Sequence, residues 1–183
     1  MDKKTEILDK AMDIISTMGL DELSMRALGE KCKLSKASLY NYFSSKEEVI
    51  ESLFSLGHKR LMKKGFYLEL IGNANDTLYN ASIKWEDLFL DELNWTFLRI
   101  IFSLHYTNDR AREEYRSLLL MLESQSMVIL SSLHLKTGLD KALTPLLSNL
   151  VLGALMKILE GEEVEIFEIL RPIVSIIESL PTT

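Results

Sequence analysis

Between Ser24 and Lys46 five cations, Arg26, Lys31, Lys33, Lys36 and Lys46, stand against one acid, Glu30, which gives the stretch a charge of +4 in a chain of net charge −6. The residues before it sum to −3 and those from Glu47 onward to −7. Among the cations lie uncharged hydrogen-bonding groups: Ser35, Ser38, Tyr40, Asn41 and Tyr42. Ammonium and guanidinium groups reach phosphates, as do tyrosine hydroxyls, and a carboxamide can bond a base edge or the backbone. Small residues such as Ala37 and Ser38 allow close approach to base edges. A basic island on an acidic chain points to phosphate contact more directly than overall charge does, because the attraction is local.

Other chemistry is not legible. His58, His105 and His134 lie far apart, and none has metal-ligand spacing with Cys32 or with paired acids. There is no phosphate-cradling glycine loop, nucleophile elbow or zinc-protease motif. Asp87, Asp91 and Glu92 could share a helix side, but a solvated acidic face explains them. The expectation is a protein that is not an enzyme and uses no cofactor or metal.

The elements that position the basic island can be read from repeated capping signals. Ser24 is placed to cap a helix, with Leu23 and Leu28 as a hydrophobic staple across its first turn. Eleven residues later Ser35 sits between Leu34 and Leu39 at the same offsets. Two capped helices separated only by Lys33 and Leu34 must cross steeply, which is helix-turn-helix geometry, with the second helix able to enter a DNA major groove. On that helix Leu39 and Phe43, four residues apart, face inward and leave the polar residues for other faces. A three-helix packing unit with half-buried tyrosines is the alternative.

The segment from Ser24 to Glu48 resembles the signature of the TetR-type (tetracycline repressor) family of bacterial regulators, most tightly at Leu39-Tyr40, Tyr42-Phe43 and Ser45-Lys46-Glu47. The resemblance implies DNA-contact roles for Ser24, Arg26, Ser35, Lys36, Ala37, Ser38, Tyr40, Asn41, Tyr42 and Lys46. Lys33 departs from the pattern, since the family usually has glycine in the turn. A lysine in the left-handed conformation that glycine takes there costs on the order of 1 kcal/mol. Gly29 stands where alanine is common, and reads as a close-packing position.

Composition bounds the rest. With three prolines, eight glycines and 47% hydrophobic residues in 183, an all-α fold of one or two domains is expected. The predicted division is a helix-turn-helix DNA-binding domain over 1–48 and a helical regulatory and dimerisation domain over 49–183, with about nine helices. The lone Cys32 rules out an internal disulfide and reads as a small core filler rather than a redox sensor. No secretion signal is seen at the N-terminus, and apolar runs such as Leu118 to Leu122 are short for a bilayer. A soluble cytoplasmic protein without membrane contact is expected.

Along the chain, Ile7, Leu8, Ala11, Met12, Ile14, Ile15 and Met18 draw one apolar stripe that Gly19 ends. Ser45 to Glu48 has capping-box spacing and starts a longer helix suited to connecting two domains. A break at Gly72 to Asp76 precedes helices over Tyr79 to Asp91, Trp95 to Tyr106 and Arg110 to His134. Thr144-Pro145 predicts a helix start, with a turn from Asp140 as an alternative, and Gly161 its stop. A last helix over Val164 to Leu180 carries Pro172, where a kink is expected.

The last two helices have apolar surface wide enough to predict a homodimer four-helix bundle through Leu147, Leu150, Val151, Ala154, Ile158, Phe167, Leu170, Val174 and Ile177. Core of a monomer is the alternative, and the resemblance implies the dimer. Trp85, Phe89, Trp95, Phe102, His105, Tyr106, Met121 and Gln125 are the candidate lining of a small apolar effector's cavity, although each could equally be plain core. The resulting expectation is a dimeric repressor of a palindromic double-stranded operator, released by a small hydrophobic effector. An effector-independent structural or recruiting DNA-binding protein is the alternative.

Overall fold

The computed structural model describes residues 2–63, 73–136 and 138–179, so the expected roles of Gly72 in a break and Leu180 in a helix lie outside the described residues. Nine helices run through the described residues: α1 Lys3–Met18, α2 Met25–Cys32, α3 Lys36–Tyr40, α4 Lys46–Lys63, α5 Ala74–Phe89, α6 Glu92–Leu104, α7 Asp109–Ser132, α8 Leu139–Glu160 and α9 Ile166–Ser179. The all-α expectation holds. The chain divides into two compact units, one of Met1–Lys64 with Glu92–Tyr115, the other of Gly65–Asp91 with Arg116–Thr183.

In the first unit the α1 stripe does what its spacing predicts. Ile7, Leu8, Ala11, Met12, Ile14 and Ile15 are buried, and Gly19 ends the helix at φ 96. Leu23, Leu28, Leu39 and Phe43 from the α2–α3 region join the same core, with Val49, Leu53 and Phe54 of α4 and Phe97, Ile100 and Ile101 of α6. The start of α4 differs from the expected capping box by one residue. The Glu48 amide donates to the Ser45 hydroxyl at 3.2 Å, but the Glu48 carboxylate reaches back to the Ser44 amide and hydroxyl, both at 2.7 Å. Those two donors hold its carboxyl below the usual carboxylate range, the amide first.

The second unit is built by α5, the later turns of α7, α8 and α9. Leu78, Ala81, Trp85 and Phe89 of α5 are buried with Leu147, Val151 and Leu155 of α8 and Leu170 and Ile173 of α9. The Trp85 indole N–H donates to Gln125 at 2.8 Å, and Glu86 of α5 accepts the Ile166 amide at 2.8 Å, which caps α9 with a carboxylate. Thr77 and Ser126 are fully buried, with hydroxyls that have no hydrogen-bond partner among the described residues.

Two expectations are corrected. The eighth helix begins at Leu139, not at Thr144-Pro145, and Pro145 lies inside it. The Thr144 hydroxyl donates to the Asp140 carbonyl at 2.7 Å instead of capping a start, so helix packing overrides the local start signal. That 22-residue helix is long and apolar enough to cross a bilayer by length and composition, contrary to the reading of short runs. In this fold its inward side packs in the second unit. Finally, Leu147, Val151, Ala154 and Leu170 have no accessible surface, and Ile158, Val174 and Ile177 keep 5–7%. Most of the residues expected to meet a partner are used by contacts among α5, α8 and α9 of the same chain. Leu150 and Phe167 are half-buried, and the Phe167 ring meets Tyr79 edge-on at 5.2 Å.

Gly57 of α4 lies against the buried Phe97 ring of α6, and a Cβ there would overlap ring carbons. Gly57→Ala is expected to destabilise the protein by about 1–3 kcal/mol, read as a lowered urea midpoint at unchanged slope.

Candidate nucleic-acid interface

The two caps form as their spacing requires. The Ser24 hydroxyl accepts from the Ala27 amide at 3.1 Å, and the Ser35 hydroxyl from the Ser38 amide at 3.1 Å. Between them Lys33 takes φ 54 and ψ 38, the left-handed conformation, and its amide donates to the Glu30 carbonyl at 3.1 Å while that of Leu34 donates to Gly29 at 2.9 Å. The turn thus keeps the geometry that glycine would provide, with lysine in its place. A Cβ on Gly29 would meet the Leu34 carbonyl oxygen at 3.3 Å, so the missing side chain lets the turn fold back closely.

On α3, Leu39 is fully buried, and Phe43 beyond it has 1% exposure. Lys36, Ala37, Tyr40 and Asn41 are exposed, whereas Ser38 and Tyr42 are half-buried. Ser35 and Ser38 also share a hydroxyl–hydroxyl bond at 2.8 Å, so both build the cap as well as the exposed rim. Tyr42 packs against the core of the unit.

The five cations are not equivalent. Arg26 pairs with Glu30 at 3.0 Å, whose hydrogen bond and charge raise its pKa further, and Lys31 pairs with Asp13 at 2.6 Å. Lys46 donates to the Leu20 carbonyl at 3.1 Å and ties the start of α4 to the α1–α2 connection. Lys33 and Lys36 have no ion pair among the described residues, and the Lys36 ammonium lies 5.8 Å from the Tyr40 ring centroid. The positive charge without an acidic partner among the described residues therefore sits at Lys33, Lys36 and Lys46, the last held by a neutral carbonyl. Sequence reasoning omitted Lys33 from the contact set, although its place at the end of α2 was a signal that its side chain projects outward.

The residues expected to line an effector cavity are distributed over both units. Trp85, Phe89, Met121 and Gln125 belong to the second, and Trp95, Phe102, His105 and Tyr106 to the first. Trp85 and Phe89 are fully buried, while Tyr106 is 81% exposed. In the first unit His105 stacks on Tyr115 at 4.4 Å, and Phe102 meets the same ring edge-on at 5.3 Å. Neither of two cavities formed by other residues includes any of the eight. One, about 300 Å³, opens at the α7–α8 connection beside Ser131, His134, Leu135, Gly138, Asp140 and Lys141. The other, about 170 Å³, lies between the end of α1 and α6.

Sequence reading also missed a polar cluster in the first unit. Glu114, 3% exposed, is held by His58 at 2.6 Å and Arg110 at 2.8 Å. Arg110 is one helical turn from Glu114, a local spacing, but His58 is 56 residues away and no local pattern shows it. Among the described residues no group of three or more His, Cys, Asp or Glu side chains could hold a metal.

A short helix with an exposed rim, set across a tight turn and flanked by Lys33 and Lys36, which have no ion pair among the described residues, has helix-turn-helix geometry. The family described as bacterial regulatory proteins, tetR family, matches residues 7–53. The HTH-type transcriptional regulator UidR of Escherichia coli K12 is 33% identical over 61 residues, covering 33% of this chain and 31% of that relative. The matched stretch is thus about a third of the relative's own length. A transcriptional regulator from Rhodococcus sp. RHA1 superposes with a TM-score of 0.68 over 98% of this chain and 100% of its own, at 17% identity. A Saccharomonospora viridis protein solved in complex with choline gives 0.64 over 96% and 95%, at 15% identity. At such identities the likeness is one of fold. Residues 7–53 are thus similar to the module of the tetR family of bacterial regulatory proteins, and the helical fold is like that of these solved proteins.

Replacing Lys33 with glycine removes the left-handed strain. Lys33→Gly is expected to raise unfolding stability by up to about 1 kcal/mol, measured by urea denaturation, while Ser35→Ala lowers it by about the same amount.

Proposed function

We propose that the protein is a dimeric, cytoplasmic DNA-binding regulator that represses from a roughly palindromic operator and is released by a small, largely apolar effector. The observation that carries this is the exposed α3 with Lys36 and Lys33 unpaired beside it, in a module matched to a family of regulators. Residues 1–48 act as the DNA-binding part and 49–183 as the regulatory and dimerising part. Lys36, Tyr40, Tyr42, Arg26 and Lys46 contact the DNA backbone, Ser24 and Ser35 orient the helices at it, and Ala37, Ser38 and Asn41 approach base edges.

Dimerisation uses the outward side of α8 and α9, where Leu146, Met156 and Ile176 are 42–45% exposed, together with half-buried Leu150 and Phe167. An effector fits the second unit, whose buried Thr77 and Ser126 hydroxyls lack partners among the described residues and whose Met121 and Gln125 are half-buried. A protein of like fold that binds choline supports a small-molecule role. The rival, an effector-independent DNA-binding protein, draws on the full burial of Trp85 and Phe89. A thermal-shift screen with varied hydrophobic compounds, followed by operator release, separates the two.

With a duplex selected from random sequences, Lys36→Ala is expected to weaken binding to all duplexes and lower the salt slope by about one, in fluorescence anisotropy across a salt series. Asn41→Ala should instead change sequence preference. Unchanged affinity and slope for Lys36→Ala would remove the proposed pose. Ile176→Asp is expected to shift the dimer toward monomer by at least about tenfold in dissociation constant, measured by sedimentation equilibrium.

A further inference from the structure

The groove between the end of α1 and α6 has the make-up of a ligand site that the DNA-binding role does not use. Its volume is about 170 Å³, and its lining divides by chemistry. Ile15 and Ile100 are buried at its floor, and Leu20 and Leu104 are half-buried. The polar side is Arg99 and Ser103, four residues apart and so on one face of α6.

Arg99 has no acidic partner among the described residues. Its guanidinium carbon lies 4.7 Å from the Trp95 ring centroid, and none of its N–H groups has a hydrogen-bond acceptor among the described residues. Ser103 likewise has no hydrogen-bond partner among the described residues, while the Ser16 hydroxyl is already donated to the Asp13 carbonyl at 3.2 Å. Two unengaged donors over an apolar floor are complementary to an anion that carries a short hydrocarbon chain. At about 30 Å³ for each water-sized group, the groove holds roughly six non-hydrogen atoms, the size of a four-carbon carboxylate.

We propose that this groove binds a short-chain carboxylate, its oxygens held by Arg99 and Ser103 and its chain lying against Ile15, Leu20, Ile100 and Leu104. The Leu20 carbonyl accepts both the Lys46 ammonium at 3.1 Å and the Leu23 amide at 3.2 Å. One wall of the groove is therefore the anchor that ties the start of α4 to the connection leading into α2. An occupant that moves Leu20 changes how the helix-turn-helix is held, and so changes operator affinity. This last step rests on the regulator reading; binding itself does not.

The test is a titration of the full-length, nitrogen-15-labelled protein with sodium butyrate, with 1-butanol and n-butylamine as controls, at constant ionic strength. Butyrate is expected to shift the Gly19 and Ser103 amide signals saturably, with half-saturation on the order of millimolar, and the controls are not. Arg99→Gln should raise that half-saturation at least about tenfold, and Ser103→Ala about threefold. Should one variant fail to fold, the other carries the test. Equal shifts with 1-butanol, non-saturating shifts, or an unchanged response in the folded variants would overturn the site. Operator binding, measured with and without butyrate in the same preparations, keeps the two readings apart. Loss of all duplex binding in wild type would remove the regulator and leave the groove, whereas duplex binding without butyrate shifts would do the reverse.

Discussion

Burial of one side of α1 is the constraint on which the DNA-binding unit depends. Ile7, Leu8, Ala11, Met12, Ile14 and Ile15 are the surface against which α2, α4 and α6 all pack. An eight-residue α2 and a five-residue α3 are too short to be stable alone, because a helix nucleus costs more than so few hydrogen bonds return. Their caps set where they begin, but Leu28, Leu39 and Phe43 hold them only because the α1 stripe and Phe54 complete the core. The exposed rim of α3 is thus presented by a rigid support rather than by its own helical propensity.

The same packing sorts the basic island into structural and available charge. Lys31 and Arg26 are neutralised by Asp13 and Glu30, and Lys46 spends its ammonium on a carbonyl. These surface pairs are worth little individually. What they do is fix where the remaining positive potential lies, at Lys33, Lys36 and Lys46, whose carbonyl partner is neutral. A lysine in a left-handed turn is a modest local cost retained at the very edge of this surface.

Legibility in the sequence followed the range of the interactions. The caps at Ser24 and Ser35, the end at Gly19 and the inward pair Leu39 and Phe43 depend on neighbours within four residues, and they were readable. The left-handed demand at Lys33 came instead from the resemblance to the TetR-type signature, which has glycine there. The Thr144-Pro145 start misled because a proline in the second turn of a long helix looks, locally, like a proline in the first. Trp85, Phe89, Trp95 and Phe102 are close in sequence, yet the turn between α5 and α6 assigns them to different units. The link from His58 to Glu114 had no sequence signature, whereas Arg110 with Glu114 and Arg99 with Ser103 are four residues apart on single helices, spacings that mark a shared face without marking its role.

By itself the sequence determined the helical periodicity, the capped pair of short helices and the placement of positive charge, since each is written in residue spacing and local backbone chemistry. Tertiary structure alone decided which apolar faces are spent within the chain. On α8 and α9 the hydrophobic pattern covers most of the helix, so periodicity cannot say which side meets α5 and which stays open. Only the packed arrangement leaves Leu146, Met156 and Ile176 outside and closes Leu147, Val151 and Leu170 in.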